Sequence, residues 1–245
     1  MMKNFMTGAF LCTVMALFAA LPQAALAQDE TDEAKKIDVE AVPTSAGKLA
    51  GFVPAGWKIE EDVTGDLNGD GIADHALKLV EDKPAVDKDD RGIDRGRALV
   101  IVFTGKDGAL TLAAVADSLL QCTACGGAFY GVSDAPAEVT IDKGVLVVSQ
   151  DHGSRDVTET TYRFRYDEQP SMFILIGFDY SSHDRAAGGS SSESTNYLTG
   201  KRITTTSKGK KTTPKTTWVT KMRYSIQEVD SDKFEEDATK RLGLD

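Results

Sequence analysis

Cysteine is scarce: three in 245 residues, and one of them, Cys12, falls in the apolar N-terminal run. The other two form Cys122-Thr123-Ala124-Cys125. A structural zinc site needs four ligands, and no second such pair exists. A redox motif of this spacing is expected at a helix start in a βαβ context, which the flanks do not suggest. The pair is expected to form a local disulfide that stiffens a loop, as suits an oxidising compartment. Long apolar runs are also missing. Beyond the N-terminus no stretch approaches the roughly 18 residues of a membrane-spanning helix. Positive charge is in deficit, 28 Lys and Arg against 38 Asp and Glu, for a net charge of −10. Such a surface repels nucleic acid and anionic membrane, so neither is an expected partner. The chain also lacks the G-x-S-x-G nucleophile elbow.

The N-terminus reads as a secretion signal over residues 1–27. Lys3 supplies the positive start, Phe10 to Leu21 the apolar run, and Ala25-Leu26-Ala27 the small-residue cleavage site before Gln28. The expected location is therefore periplasmic or secreted. Residues 28–46 are acidic and polar with few apolar anchors, and read as a flexible leader. Residues 47–245 are expected to form one domain.

That domain reads as strands: Trp57 to Val63, His75 to Val80, Ala98 to Phe103, Val139 to Ile141, Val145 to Val148, Thr158 to Tyr166 and Met172 to Phe178. Two more, Ile203 to Thr206 and Thr216 to Ile226, are expected to pair across the Lys208-Gly209-Lys210 turn. Leu110 to Leu120 suits helix or strand. Asp232 to Leu242 reads as a short helix, with Asp232 as its cap and Glu235 three residues on. Many short strands with glycine-rich turns indicate an antiparallel sandwich or open barrel.

The most specific pattern is Asp66-Leu67-Asn68-Gly69-Asp70-Gly71-Ile72-Ala73-Asp74. Oxygen-bearing side chains fall at positions 1, 3, 5 and 9, and glycines permit the tight curl that brings them together. Calcium takes many oxygen ligands at flexible geometry. The expected set is Asp66, Asn68, Asp70, the Ile72 carbonyl and Asp74, completed by water. An EF-hand needs a glutamate at position 12, where this chain has Leu77. The flanks are strand-like as well, so the pattern is a strand-loop-strand turn. His75 reads as a flank residue.

Residues 65–74 resemble the calcium loop of FG-GAP/VCBS-type repeats, found in integrin-like propellers and many secreted bacterial proteins. The resemblance covers residues 63 to 80 and implies a structural ion that ties a β-hairpin together. The loop occurs once, which departs from a propeller of repeats. More loosely, the chain resembles small exported bacterial proteins with one such loop, a resemblance that carries no activity.

Three further clusters stand out. Asp87, Asp89, Asp90 and Asp94 alternate with Lys88, Arg91 and Arg95, and read as a self-neutralised surface loop. His152, Asp156, His183 and Asp184, with Ser154 and Ser182, sit at expected strand ends; near Cys125 they could form a loop-borne hydrolase site. From Ser194 to Gln227 no acidic residue occurs, while Lys201, Arg202, Lys208, Lys210, Lys211, Lys215, Lys221 and Arg223 do. This is a basic edge that guards an exposed hairpin or, with Trp218, meets an anionic envelope polymer. The sequence thus favours an exported calcium-binding module of the cell envelope. A periplasmic hydrolase and a periplasmic inhibitor or immunity-type protein are the alternatives, and whether the chain is an enzyme stays open.

Overall fold

A computed structural model describes residues 34–131, 133–209 and 211–244. The expected signal segment, residues 28–33 and Lys210 lie outside the described residues. Two antiparallel sheets form an open sandwich rather than a closed barrel. In chain order the strands are β1 (Ser45–Ala46), β2 (Trp57–Gly65), β3 (Asp74–Glu81), β4 (Arg97–Thr104), β5 (Leu110–Ala116), β6 (Ala137–Asp142), β7 (Val145–Gly153), β8 (Asp156–Asp167), β9 (Met172–Asp184), β10 (Gly189–Asn196), β11 (Lys201–Lys208) and β12 (Lys211–Trp218). The first sheet runs β1-β5-β4-β3-β2 and the second β12-β11-β10-β9-β8-β7-β6.

The main core lies between the sheets. Ala76, Leu99, Ile101 and Ala114 of the first meet Leu146, Val148, Tyr162, Phe164 and Phe178 of the second. The alternate residues of β3 and β4, Leu77, Leu79, Ala98, Val100 and Val102, point the other way, yet they are buried too. This is why both strands read as nearly continuous apolar runs.

Their cover corrects the reading of residues 28–46 as a flexible leader. Within 34–46, Ile37 and Val42 are buried against that second face together with Phe52. β1 pairs with β5, and the Lys35 amide donates to Glu81 Oε2 at 3.1 Å. Two well-placed apolar side chains are enough to dock a polar segment when a hydrophobic face waits for it.

Leu110 to Leu120 resolves into β5 and a loop. β10 had no hydrophobic signal, because its sequence is Gly-Ser-Ser-Ser-Glu-Ser-Thr-Asn. The tail is a helix, α1 (Ser231–Leu242), but its cap is Asp230, whose side chain accepts from the Lys233 amide; Asp232 lies inside the first turn. α1 packs on the inner face of the second sheet. Phe234 meets Tyr162, Phe178 and Tyr224 edge-on, and Arg241 holds the buried Glu193 of β10 through both nitrogens at 2.7 and 2.8 Å.

Candidate functional site

The acidic loop joins β2 to β3. Its backbone is fixed by its own side chains. Asp66 Oδ1 accepts from Gly69 N–H at 2.7 Å and Asp66 Oδ2 from Gly71 N–H at 2.9 Å. Asn68 Oδ1 accepts from Asp70 N–H at 2.9 Å, and Asp70 Oδ1 from Ile72 N–H at 2.8 Å. These overlapping side-chain-to-backbone turns curl the chain. Gly69 and Gly71 sit at φ of +84° and +83°, where a side chain would be strained. Each carboxylate oxygen that accepts one amide keeps a second lone pair for another donor or a cation.

Asp74 differs from the other three, being fully buried. Its Oδ2 accepts from Leu67 N–H and its Oδ1 from Thr104 N–H, both at 2.9 Å. It therefore braces the loop against the end of β4. Oxygen donors of this kind suit a hard cation in chemistry. In spacing the fit is looser, since the carboxylates of Asp66, Asp70 and Asp74 are not gathered within 4.8 Å of one another. His75 is a flank residue whose Nδ1 meets Asp62 Oδ1 at 2.9 Å.

Among the described residues, the group of His, Cys, Asp or Glu ligand atoms that does fall within 4.8 Å is Asp94, Cys122 and Cys125. The two cysteines are joined as a disulfide, so their sulfurs are not free thiolates for a metal. In the neighbouring acidic loop, Arg91 pairs with Asp87 and Asp89, and the Arg91 amide leads the bonds that hold the Asp87 carboxyl below its usual range.

The structure separates the histidines. His152 stands opposite Thr158, which stands opposite Ser182; His183 stands opposite Val157, one residue along. The pleat therefore turns His152 and His183 to opposite faces of the sheet. Ser182 is two strands from His152, roughly 9.5 Å at the usual strand spacing and outside hydrogen-bond reach. Ser154 lies in the tight turn between β7 and β8, and Asp184 is paired with Arg155 at 2.7 Å, which drives its carboxyl well below the usual range. The His152 partner is instead Glu235 of α1, at 2.8 Å from Nε2. That hydrogen bond raises the imidazole pKa against the opposing effect of burial, and the charges of Glu235, Asp151 and Asp232 add to it. The pair lines a cavity of about 430 Å³ with Gln121, Cys125, Gln150 and Thr160. Glu235 lies 83 residues away in sequence, and no local pattern could have named it.

The basic stretch folds into β11, β12 and the strap beyond. β12 is an edge strand, exposed along nearly its whole length, with Lys211 and Lys215 on it and Trp218 exposed to 73 % at its end. Pro214 within it leaves no amide to pair with another chain. Among the described residues no helix is long and apolar enough to cross a membrane. Comparisons with protein-family models, curated proteins and solved structures find no match for this chain.

Proposed function

We propose that this protein is an exported module of the cell envelope with a binding or structural role, and that its Asp66–Asp74 loop takes one calcium ion. The observation that carries this reading is the loop itself. Asp66, Asn68 and Asp70 hold three successive turns of backbone while keeping lone pairs in reserve, and Asp74 ties the same loop into the core. Asp66, Asn68, Asp70, the Ile72 carbonyl and Asp74 would hold the ion. When bound it would offset the mutual repulsion of three carboxylates and lock the β2–β3 connection. Extracellular calcium sites of about 10⁻⁴ to 10⁻³ M affinity suffice for this role.

The partner surface in this reading is the β11–β12 edge, where lysines and the exposed Trp218 suit an anionic polymer. For the hydrolase alternative, the hydrogen bond of His152 Nε2 goes to the Glu235 carboxylate and not to a hydroxyl. A thermal melt tests the ion claim. At a hundredfold excess over Kd, calcium should add about 2.7 kcal/mol, or about 5–10 °C in Tm for a domain of this size. Asp70→Ala should remove that rise. An unchanged Tm in calcium would refute the ion claim.

A further inference from the structure

The Cys122–Cys125 disulfide is open to attack. Cys125 is exposed and Cys122 half-buried, and both line a surface cavity of about 220 Å³. Cys125 also lines the cavity that holds His152. A thiolate arriving from solution therefore has a path to sulfur, and exposed disulfides are the labile ones.

Beside the sulfurs stands an acid with nothing to hold. A carboxylate oxygen of Asp94 lies within 4.8 Å of both sulfurs. Asp94 Oδ1 is shut off from solvent and has no hydrogen-bond partner among the described residues. Buried acceptors are nearly always satisfied, so an orphan asks for an explanation. A disulfide has no proton to offer, whereas the dithiol has two S–H donors. An S–H of the dithiol is the donor that the proposal below assigns to Asp94.

Thr123 fixes this arrangement. Its amide donates to the Arg95 carbonyl at 3.0 Å, its Oγ1 accepts from the Arg95 amide at 3.0 Å, and its hydroxyl reaches the Ile93 carbonyl at 3.2 Å. Thr123, which directly follows Cys122, thus grips the backbone on both sides of Asp94. Gly127, at φ +74°, lets the following turn press against Gly153 of β7, where an added Cβ would come within 2.7 Å of the Gly153 carbonyl. Besides Asp94, the charged groups lining the cavity are Lys35, Lys36, Arg97, Asp117, Asp230 and Asp232.

We propose that Cys122, Cys125 and Asp94 form a thiol–disulfide exchange site whose substrate is a thiol, carried by a peptide or a small molecule. The substrate thiolate attacks the exposed Cys125 Sγ. The S–S bond breaks, its electron pair leaves on Cys122 Sγ, and that thiolate takes a proton from water in the cavity, its new S–H then donating to Asp94. A second substrate thiolate attacks the substrate sulfur of the mixed disulfide, and Cys125 Sγ leaves and is protonated. Two electrons pass: two substrate thiols become one disulfide, and the protein disulfide becomes a dithiol. The reverse sequence reduces a substrate disulfide. No metal ion takes part, so this proposal stands apart from the calcium reading.

The test equilibrates the full chain in glutathione buffers and, separately, with a peptide carrying a cysteine pair. Alkylation and mass measurement then give the reduced fraction. We expect reversible reduction with the circular dichroism of the folded protein retained. Asp94→Asn should lower the equilibrium constant for reduction about tenfold, since a charged acceptor is lost, a shift of about 30 mV. Asp94→Ser, a smaller side chain, should shift it the same way and serves if the asparagine variant fails to fold. Reduction by the peptide alone would assign a polypeptide substrate, and reduction by glutathione alone a small thiol. A disulfide that yields to either only after denaturation, or an unchanged constant in the folded variants, overturns the proposal.

Discussion

Asp74 shows how one residue type serves two purposes within nine positions. Spacing placed it in the loop's oxygen set with Asp66, Asn68 and Asp70, but it could not show that the side chain is buried and braces two backbone amides. The brace joins the loop to β4, thirty residues on, and such a partner leaves no trace in local sequence. Asp74→Ala leaves the Leu67 and Thr104 amides without acceptors, and should cost about 2–4 kcal/mol in urea denaturation even without calcium. Asp70→Ala, at an exposed position, should cost far less under the same conditions. His152 makes the second prediction at this scale. Its pKa is raised in the folded chain, so folding holds its proton more tightly than the unfolded state does. The His152–Glu235 pair therefore contributes fully below the ordinary histidine range, and the contribution fades as pH rises through the raised value. Between about pH 6 and about pH 9 the wild type should lose about 0.5–1 kcal/mol that His152→Gln does not lose, a small amount because the pair is partly solvated.

At the scale of elements, most strands were legible, as apolar runs where both faces are buried and by alternation where one face is more exposed. β8 illustrates this: Thr160, Tyr162 and Phe164 share its buried face as their spacing requires. β10 was not legible. Its buried face carries Ser191, Glu193 and Thr195, and it belongs to the sheet because β9 and β11 pair it on both sides. Its buried charge is tolerated because Arg202 meets it from the adjacent strand β11 and Arg241 from the helix α1, distant in sequence. The N-terminal segment was misread for a related reason. Ile37 and Val42 are too sparse to show a period, and their value lies in the hydrophobic face of β3 and β4 that they cover. Ile37→Ala should therefore cost about 2–4 kcal/mol. The nearby Val39→Ala, at an exposed position, should stay within about 0.5 kcal/mol. Equal effects from the two would mean that this segment is not docked.

On the scale of the whole molecule, composition and turn chemistry indicated an antiparallel sandwich or open barrel, and the two sheets form the open sandwich. What composition could not show is that α1 and the segment before it complete the inner face of the larger sheet, with Ile226, Val229 and Ala238 buried in the same core. The candidate sites divide in the same way. The acidic loop was visible as a motif, whereas the meeting of Asp94 with Cys122 and Cys125 depends on tertiary contacts through Thr123. The acidic loop and the disulfide turn are separate sites, and each claim can fail without the other.

The central claim is the ion in the β2–β3 loop, and isothermal titration of the metal-stripped protein with calcium tests it most directly. One site per chain should fill with a Kd of about 10⁻⁴ to 10⁻³ M, and the heat should vanish in Asp66→Ala. A flat titration in the folded wild-type protein, or heat that persists unchanged in the variant, would contradict the claim.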